Sequence, residues 1–213
     1  MTTSLTVTER PAAGQPEGLL ILHHGRGSDE HDLLPLADLL DPTGRLQVVS
    51  PQAPIDIPQV PGYHWYLVRR VGYPDPSTFR ASYGQLSELH DELARRYEID
   101  FSRIVLGGFS MGAVMSYALG LGEDRPAPAG ILALSGFIPT VESWQPDFSG
   151  REQTHVFITH GRNDQVIDVD FARKARQTVE QGGLPVEYHE TNAAHHVDPA
   201  ALRSASSWID RLI

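Results

Sequence analysis

The apolar positions of the chain fall into two alternating periods. "LLILHH" (19–24) and "LQVVSP" (46–51) are continuous apolar runs, the pattern of strands buried on both faces. Shorter strands are expected at 103–107, 130–135, 154–159 and 185–189, and a first one at 4–9. Between the strands the spacing lengthens to three and four. In "STFRASYGQLSELHDELARRYEI" (77–99), apolar residues recur at 79, 83, 86, 89, 93 and 97 and draw one buried stripe along the longest helix. Helices are also expected over 111–121, 168–181 and 198–212. A short one fits 31–41, provided that Pro35 lies in its first turn.

Strand and helix alternate along the whole chain. The expected fold class is therefore α/β, with a mostly parallel central sheet and helices on both faces. Residues 1–213 read as one domain, in which 1–18 form an N-terminal strand and a Pro/Gly loop. Ligands of such sheets bind beyond the carboxyl ends of the strands. Two stretches have no period: Gln52 to Pro76, rich in Pro, Tyr and Trp, and 136–152. A loop as long as the first, inside a compact domain, is usually functional.

Charge and composition narrow the function. The net charge of −10 offers no overall attraction to polyphosphate, which argues against a nucleic-acid partner. The chain has no cysteine, so thiolate nucleophiles, disulfides and cysteine-based metal sites are excluded. "MTTSLTVTER" lacks the basic and apolar segments of a signal peptide, and the apolar run at "GLLILHHG" is too short to span a bilayer. A cytoplasmic protein without stable membrane insertion is the expectation.

The chemistry is expected at one seam. In "IVLGGFSMGAVMSYALGLG" (104–122) a strand stops at glycines, a serine follows, and a helix of small residues begins. Strand, G-x-S-x-G and helix together describe a nucleophile elbow, with Ser110 exposed at a helix N-terminus. A serine needs a base, and the base an orienting acid, in the chain order Ser, acid, His. "VFITHGRNDQVI" (156–167) ends a strand and offers Asp164. The competing acids Asp168 and Asp170 read as the first residues of the next helix, favoured there by its dipole. "VEYHETNAAHHVDP" (186–199) offers His195 as base, with His196 as competitor. Ala193 and Ala194 leave space for that loop to press against the elbow. His155, His160 and His189 read as core or edge histidines of strands.

Acyl transfer also needs donors for the tetrahedral oxyanion. The N–H of Met111, just after the nucleophile, is one. The N–H of Arg26, in the Gly-rich loop of "LHHGRGSDEHD" (22–32), is the other. A metal site at His23, His24 and His31 is the rival reading of that loop. It is disfavoured because adjacent strand residues face opposite ways.

With these pieces in place, the sequence resembles the phospholipase/carboxylesterase group of α/β-hydrolases, which includes small bacterial carboxylesterases and acyl-protein thioesterases. The matching stretches are "LHHGRGSDE", "SPQAP", "GYHWY", "GGFSMGAVMS", "LSGFIP", "THGRNDQVI" and "NAAHHV", in the family's order and covering nearly all of the chain from residue 19. The resemblance implies an α/β-hydrolase fold without a large cap domain. It implies Ser110, Asp164 and His195 as the catalytic triad and Arg26 and Met111 as the oxyanion-hole amides. It also implies an open, apolar acyl groove with Trp65, Tyr66, Phe137, Ile138 and Val166 in substrate-binding positions. Two departures stand out. Many members have Gly-His where this chain has Ala194-His195, and many have an apolar residue in place of Arg26. The side chains of Arg26, Arg69 and Arg70 then either favour an acidic substrate, cover the cleft or are solvated surface.

The expected function is hydrolysis of small-molecule carboxylic esters with small to medium acyl chains, through an acyl-enzyme and without a cofactor or metal. Thioester hydrolysis, lactone opening and perhydrolysis are alternatives on the same triad. A non-catalytic small-molecule-binding homologue is the alternative from another class. An apolar groove beside the site leaves room for a homodimer.

Overall fold

A computed structural model describes residues 5–142 and 144–213, apart from the side chain of Arg69. In chain order its strands are β1 (Val7–Arg10), β2 (Gly18–His23), β3 (Leu46–Pro51), β4 (Ile55–Asp56), β5 (Tyr63–His64), β6 (Val68–Arg70), β7 (Tyr73–Pro74), β8 (Ile104–Phe109), β9 (Gly130–Leu134), β10 (His155–Gly161) and β11 (Val186–Thr191). The helices are α1 (Ala37–Leu40), α2 (Pro76–Tyr97), α3 (Met111–Gly120), α4 (Val169–Gln181) and α5 (Pro199–Leu212). Seven strands form one sheet in the order β1-β3-β2-β8-β9-β10-β11. All its pairings are parallel except β1 against β3. Among the described residues no helix is long and apolar enough to cross a membrane.

The continuous apolar runs are explained by this sandwich. Leu19 and Ile21 of β2 belong to the cluster under α2 and α3, whereas Leu20 and Leu22 belong to the cluster under α1 and α5. β9 and β10 divide in the same way, Ile131, Val156 and Ile158 facing α3 and α4 and Leu132 and Phe157 facing α5. Burying both faces of a strand requires an apolar residue at every position. Along α2 the expected stripe is buried as Phe79, Tyr83, Leu86, Leu89 and Leu93. Asp75 caps that helix by accepting from the N–H of Thr78, and Pro76 occupies its first turn.

Three expectations shift. The first strand begins at Val7, and Ser4, the expected start, lies outside the described residues. The expected helix over 31–41 contracts to a 3-10 turn (Leu34–Leu36) followed by the single turn α1. Pro35 lies in the first turn of the 3-10 segment, where its missing N–H costs no helical bond. The unpatterned stretch from 52 to 76 contains two small hairpins, β4–β5 and β6–β7.

The strand order fixes where a ligand can bind. The chain runs from β2 outward to β3 and then, through α2, crosses to β8 on the other side of β2. The loops leaving β2 and β8 therefore diverge, which opens a crevice at the carboxyl edge of the sheet.

Beside this crevice two histidines are wholly buried. His23 Nδ1 lies 2.9 Å from Ser116 Oγ, and its Nε2 lies 3.1 Å from Nε2 of His90. Burial, reinforced by the neighbouring His24, pushes the pKa of His23 down to about 3. Burial also holds His90 well below the ordinary histidine value. Both are neutral in the native state, whereas the unfolded chain takes up protons near pH 6.5. Stability should therefore fall as pH drops below that value. His23 alone accounts for about 2 kcal/mol between pH 7 and pH 5. Urea midpoints measured at those two pH values should differ in this sense, and a pH-independent midpoint would contradict the assignment.

Candidate active site

Ser110 sits between β8 and α3 with φ 54° and ψ −118°, a left-handed conformation that side chains rarely adopt. The two flanking glycines explain why the chain can turn there. A Cβ on Gly112 would overlap the carbonyl groups of His23 and His24, and one on Gly108 would overlap the backbone of Gly112 and Ala113. The last turn of β2, the end of β8 and the start of α3 thus meet backbone to backbone. Valine, leucine or even alanine at either position would separate them.

The acid and the base come from the next two strand ends. Asp164 lies in the loop after β10. Its Oδ1 accepts hydrogen bonds from the N–H groups of Val166 (2.8 Å) and Ile167 (2.9 Å). Its Oδ2 accepts from His195 Nδ1 at 2.7 Å. His195 Nε2 in turn lies 3.0 Å from Ser110 Oγ. Burial opposes ionisation of Asp164, but the bond from His195 and those from Ile167 and Val166 outweigh it, and its pKa falls below the ordinary value. The loop that carries His195 leans on β10: a Cβ on Gly161 would overlap the carbonyls of Ala193 and Ala194. The backbone of Ala193 and Ala194 thus packs on Gly161, and the His195 ring meets the elbow directly at Ser110 and lies against Phe109, centroid to centroid 5.0 Å.

The competing residues have other work. Asp168 caps α4 by accepting from the N–H of Asp170, and Asp170 pairs with Arg173 at 2.9 Å. His196 is exposed. His160, read from the sequence as a core histidine, is buried but has a further contact. Its Nε2 lies 2.8 Å from the carbonyl of Ile167 and 3.3 Å from Asp164 Oδ2. Burial lowers its pKa despite those two acceptors, so the neutral ring carries its proton on Nε2. The signal in the sequence was the four-residue spacing between His160 and Asp164, too common a spacing to be read without the turn that folds them together.

The loop after β2 is pinned from three sides. His24 donates through Nδ1 to the carbonyl of Gly25 (2.7 Å), which leaves Nε2 to accept from the N–H of Ala53 (2.9 Å). Trp65 donates its indole N–H to the carbonyl of His24 at 2.9 Å. Gly27 and Ser28 bond to the backbone of Tyr63. The three histidines of the rival metal reading do not converge, since His23 faces His90, His24 faces Ala53 and His31 is exposed beside Glu30. Arg26 follows this clamp, and Met111 opens α3. Neither backbone N–H has a hydrogen-bond partner among the described residues.

A cavity of about 430 Å³ opens over Ser110 and His195. Tyr66, Phe137 and Val166 line it, as expected, together with Val68, Val71, Pro74 and Ile167. Two of the expected groove residues are corrected. Trp65 has no exposed surface, because its indole is spent holding the loop after β2. Ile138 packs half-buried against the cluster of α3, α4 and β10 and is not among the lining residues. The hairpin β6–β7 supplies Arg70 and Tyr73 to the cavity, a contribution that the absence of any period in this stretch had concealed.

The fold and this site define an α/β-hydrolase with a mostly parallel seven-stranded sheet and no large cap domain. The chain belongs to the phospholipase/carboxylesterase family, whose profile matches residues 7–213. It is thereby one of the serine hydrolases that cleave ester or thioester bonds. It is 27% identical over 227 aligned positions to acyl-protein thioesterase 1 of Debaryomyces hansenii, a match covering 98% of this chain and 95% of the relative. With acyl-protein thioesterase 1 of Cryptococcus neoformans it shares 32% identity, over 73% of this chain and 70% of that protein. The crystal structure of the Bacillus cereus carboxylesterase superposes with a TM-score of 0.85 at 24% identity, covering 98% of this chain and 95% of that one.

The backbone contacts at the elbow lead to a paired prediction. Gly112→Ala should cost about 3 kcal/mol or more, because backbone cannot yield as a side-chain tip can. Gly84→Ala, on the exposed face of α2 with nothing within 4 Å of the added methyl, should stabilise by about 0.5–1 kcal/mol. Thermal melts of the two variants should move in opposite directions.

Proposed function

We propose that the protein is a carboxylesterase that cleaves small to medium acyl esters through an acyl-enzyme on Ser110. The observation that carries this reading is the continuous hydrogen-bond chain Ser110–His195–Asp164, at 3.0 and 2.7 Å. His195 takes the hydroxyl proton as Oγ attacks the ester carbonyl. Asp164 holds the ring by Nδ1–H and stabilises the imidazolium that forms. The N–H groups of Arg26 and Met111 receive the oxyanion. His195 then protonates the departing alcohol, and a water molecule repeats the sequence on the acyl-enzyme. Every group required comes from the chain itself. The cavity volume lies in the range of small-molecule sites and suits a short acyl chain against Tyr66, Phe137 and Val166. The proposed setting is the cytoplasm.

Thioester cleavage is the second reading, favoured by the names of the two relatives above. The same triad serves it, since a thiolate leaves more readily than an alkoxide.

Hydrolysis of p-nitrophenyl esters from acetate to palmitate should show an optimum at short to medium chains. Ser110→Ala should remain folded and lose at least about 10³-fold in kcat. It should also lose labelling by a fluorophosphonate probe. A folded Ser110→Ala with full activity refutes the nucleophile. An acyl-thioester panel run beside the esters separates the two readings.

His160 is assigned here as a positioning residue that acts through Asp164. His160→Phe should lower kcat about tenfold or more with little change in KM, because the acid loses a contact that substrate binding does not use. His160→Gln, which keeps an N–H at similar reach, should recover part of that loss. Equal effects of both variants on KM and kcat would assign the residue to packing alone.

A further inference from the structure

The cavity over Ser110 carries more charge than an uncharged ester requires. Arg26 and Arg70 both line it, and Asp32 is the one carboxylate among its lining side chains. Neither guanidinium has a carboxylate within ion-pair distance among the described residues. Arg10, Arg45, Arg125 and Arg173 each hold an Asp or Glu at 2.9 Å or closer, whereas Arg26 and Arg70, like the surface residues Arg80, Arg95 and Arg203, hold none among the described residues; what sets the two apart is their place at the wall of the cleft. Cations left unpaired at the wall of a cleft lose hydration when a ligand enters, and only an anionic ligand returns that loss.

The Arg70 side chain is held in place, and Arg26 springs from a fixed stretch of backbone. Arg70 and Tyr73 face each other across the Val71–Gly72 turn, and the guanidinium lies 3.6 Å from the centre of the Tyr73 ring. Gly72, at φ +89°, brings the turn against Phe171, whose ring packs tilted at 45° against Phe137 with centroids 5.2 Å apart. Phe137 itself lines the cavity. Arg26 projects from the loop clamped by His24, Trp65 and Tyr63. Its backbone N–H is the proposed oxyanion donor, so its side chain starts within one residue of the scissile carbonyl. The net charge of −10 repels anions at a distance. The Debye length at physiological salt is only about 8 Å, so the field inside the cleft is set by nearby groups, the two guanidiniums against Asp32 at the wall and Asp29 and Glu30 beside the same loop.

We propose that Arg26 and Arg70 form a carboxylate subsite of this cleft, and that the preferred substrate is an ester carrying a carboxylate a few bonds from the scissile carbonyl, as in the monoester of a short dicarboxylic acid. The proposal rests on the hydrolase reading above and narrows its substrate. Guanidinium groups suit the task because they offer paired N–H donors that match the two oxygens of a carboxylate. The apolar wall of Tyr66, Phe137 and Val166 takes the methylene spacer.

The test compares monoethyl succinate with ethyl 4-methylpentanoate, in which an isopropyl group replaces the carboxylate. Release of acid is followed by titration at constant pH. The wild type should favour the charged ester by about tenfold or more in kcat/KM. Arg70→Gln and Arg26→Gln should each reduce that ratio several-fold to tenfold, mainly through KM, and Arg70→Lys should restore part of it. Rising ionic strength should reduce the ratio as well. Arg70→Gln alters an exposed hairpin, so it decides the matter even if Arg26→Gln fails to fold. If the neutral ester is preferred and the ratio ignores both substitution and salt, the subsite is overturned while the esterase reading stands. If neither ester is cleaved and Ser110 takes no fluorophosphonate label, both are overturned.

Discussion

The site depends on the backbone-to-backbone approach of β2, β8 and α3. Gly108 and Gly112 are the residues that permit it, and no side chain can replace them without moving an element of the central sheet. From this approach follow the strained dihedrals of Ser110, the position of the Met111 amide at the first turn of α3, and the closeness of the Arg26 loop to both. Strain at one residue persists because seven strands and two buried clusters over-determine it.

Around that point the charges are arranged in a graded way. Asp164 is buried yet ionised, because His195, Val166, Ile167 and His160 surround its two oxygens with donors. His23 and His90, equally buried but offered only neutral partners, are kept uncharged. Burial disfavours the charged form of all three groups; it prevails at the two histidines and is outweighed at Asp164 by the donors around its oxygens.

Much of this was legible in the sequence, and for identifiable reasons. Strands buried on both faces must be apolar throughout, so β2 and β3 were readable as such, and the stripe of α2 followed from its period of three and four. The order Ser, Asp, His could be read because each residue follows directly on a strand. What could not be read depended on contacts between distant segments. Trp65 was placed in the groove by the resemblance, and an aromatic in a long loop gives no sign of which way its ring turns; its bond to His24 places it inside. Ile138 failed for the same reason. The hairpin that bears Arg70 and Tyr73 is too short to generate a period. The helix at 31–41 contracted to a 3-10 turn and one turn of α-helix with Pro35 in the first turn, and the pattern of the leucines gave no sign of how short it would be.

The groups that meet at Ser110 come from loops after β2, β8, β10 and β11, and those loops converge only once the crossover through α2 has placed β8 against β2. No contiguous stretch of chain contains more than one of them beyond Ser110 and its neighbour. A partly folded chain that has its helices but not its strand order therefore possesses every catalytic side chain and no active site. For this molecule, reactivity at Ser110 is a stricter gauge of the native state than helix content.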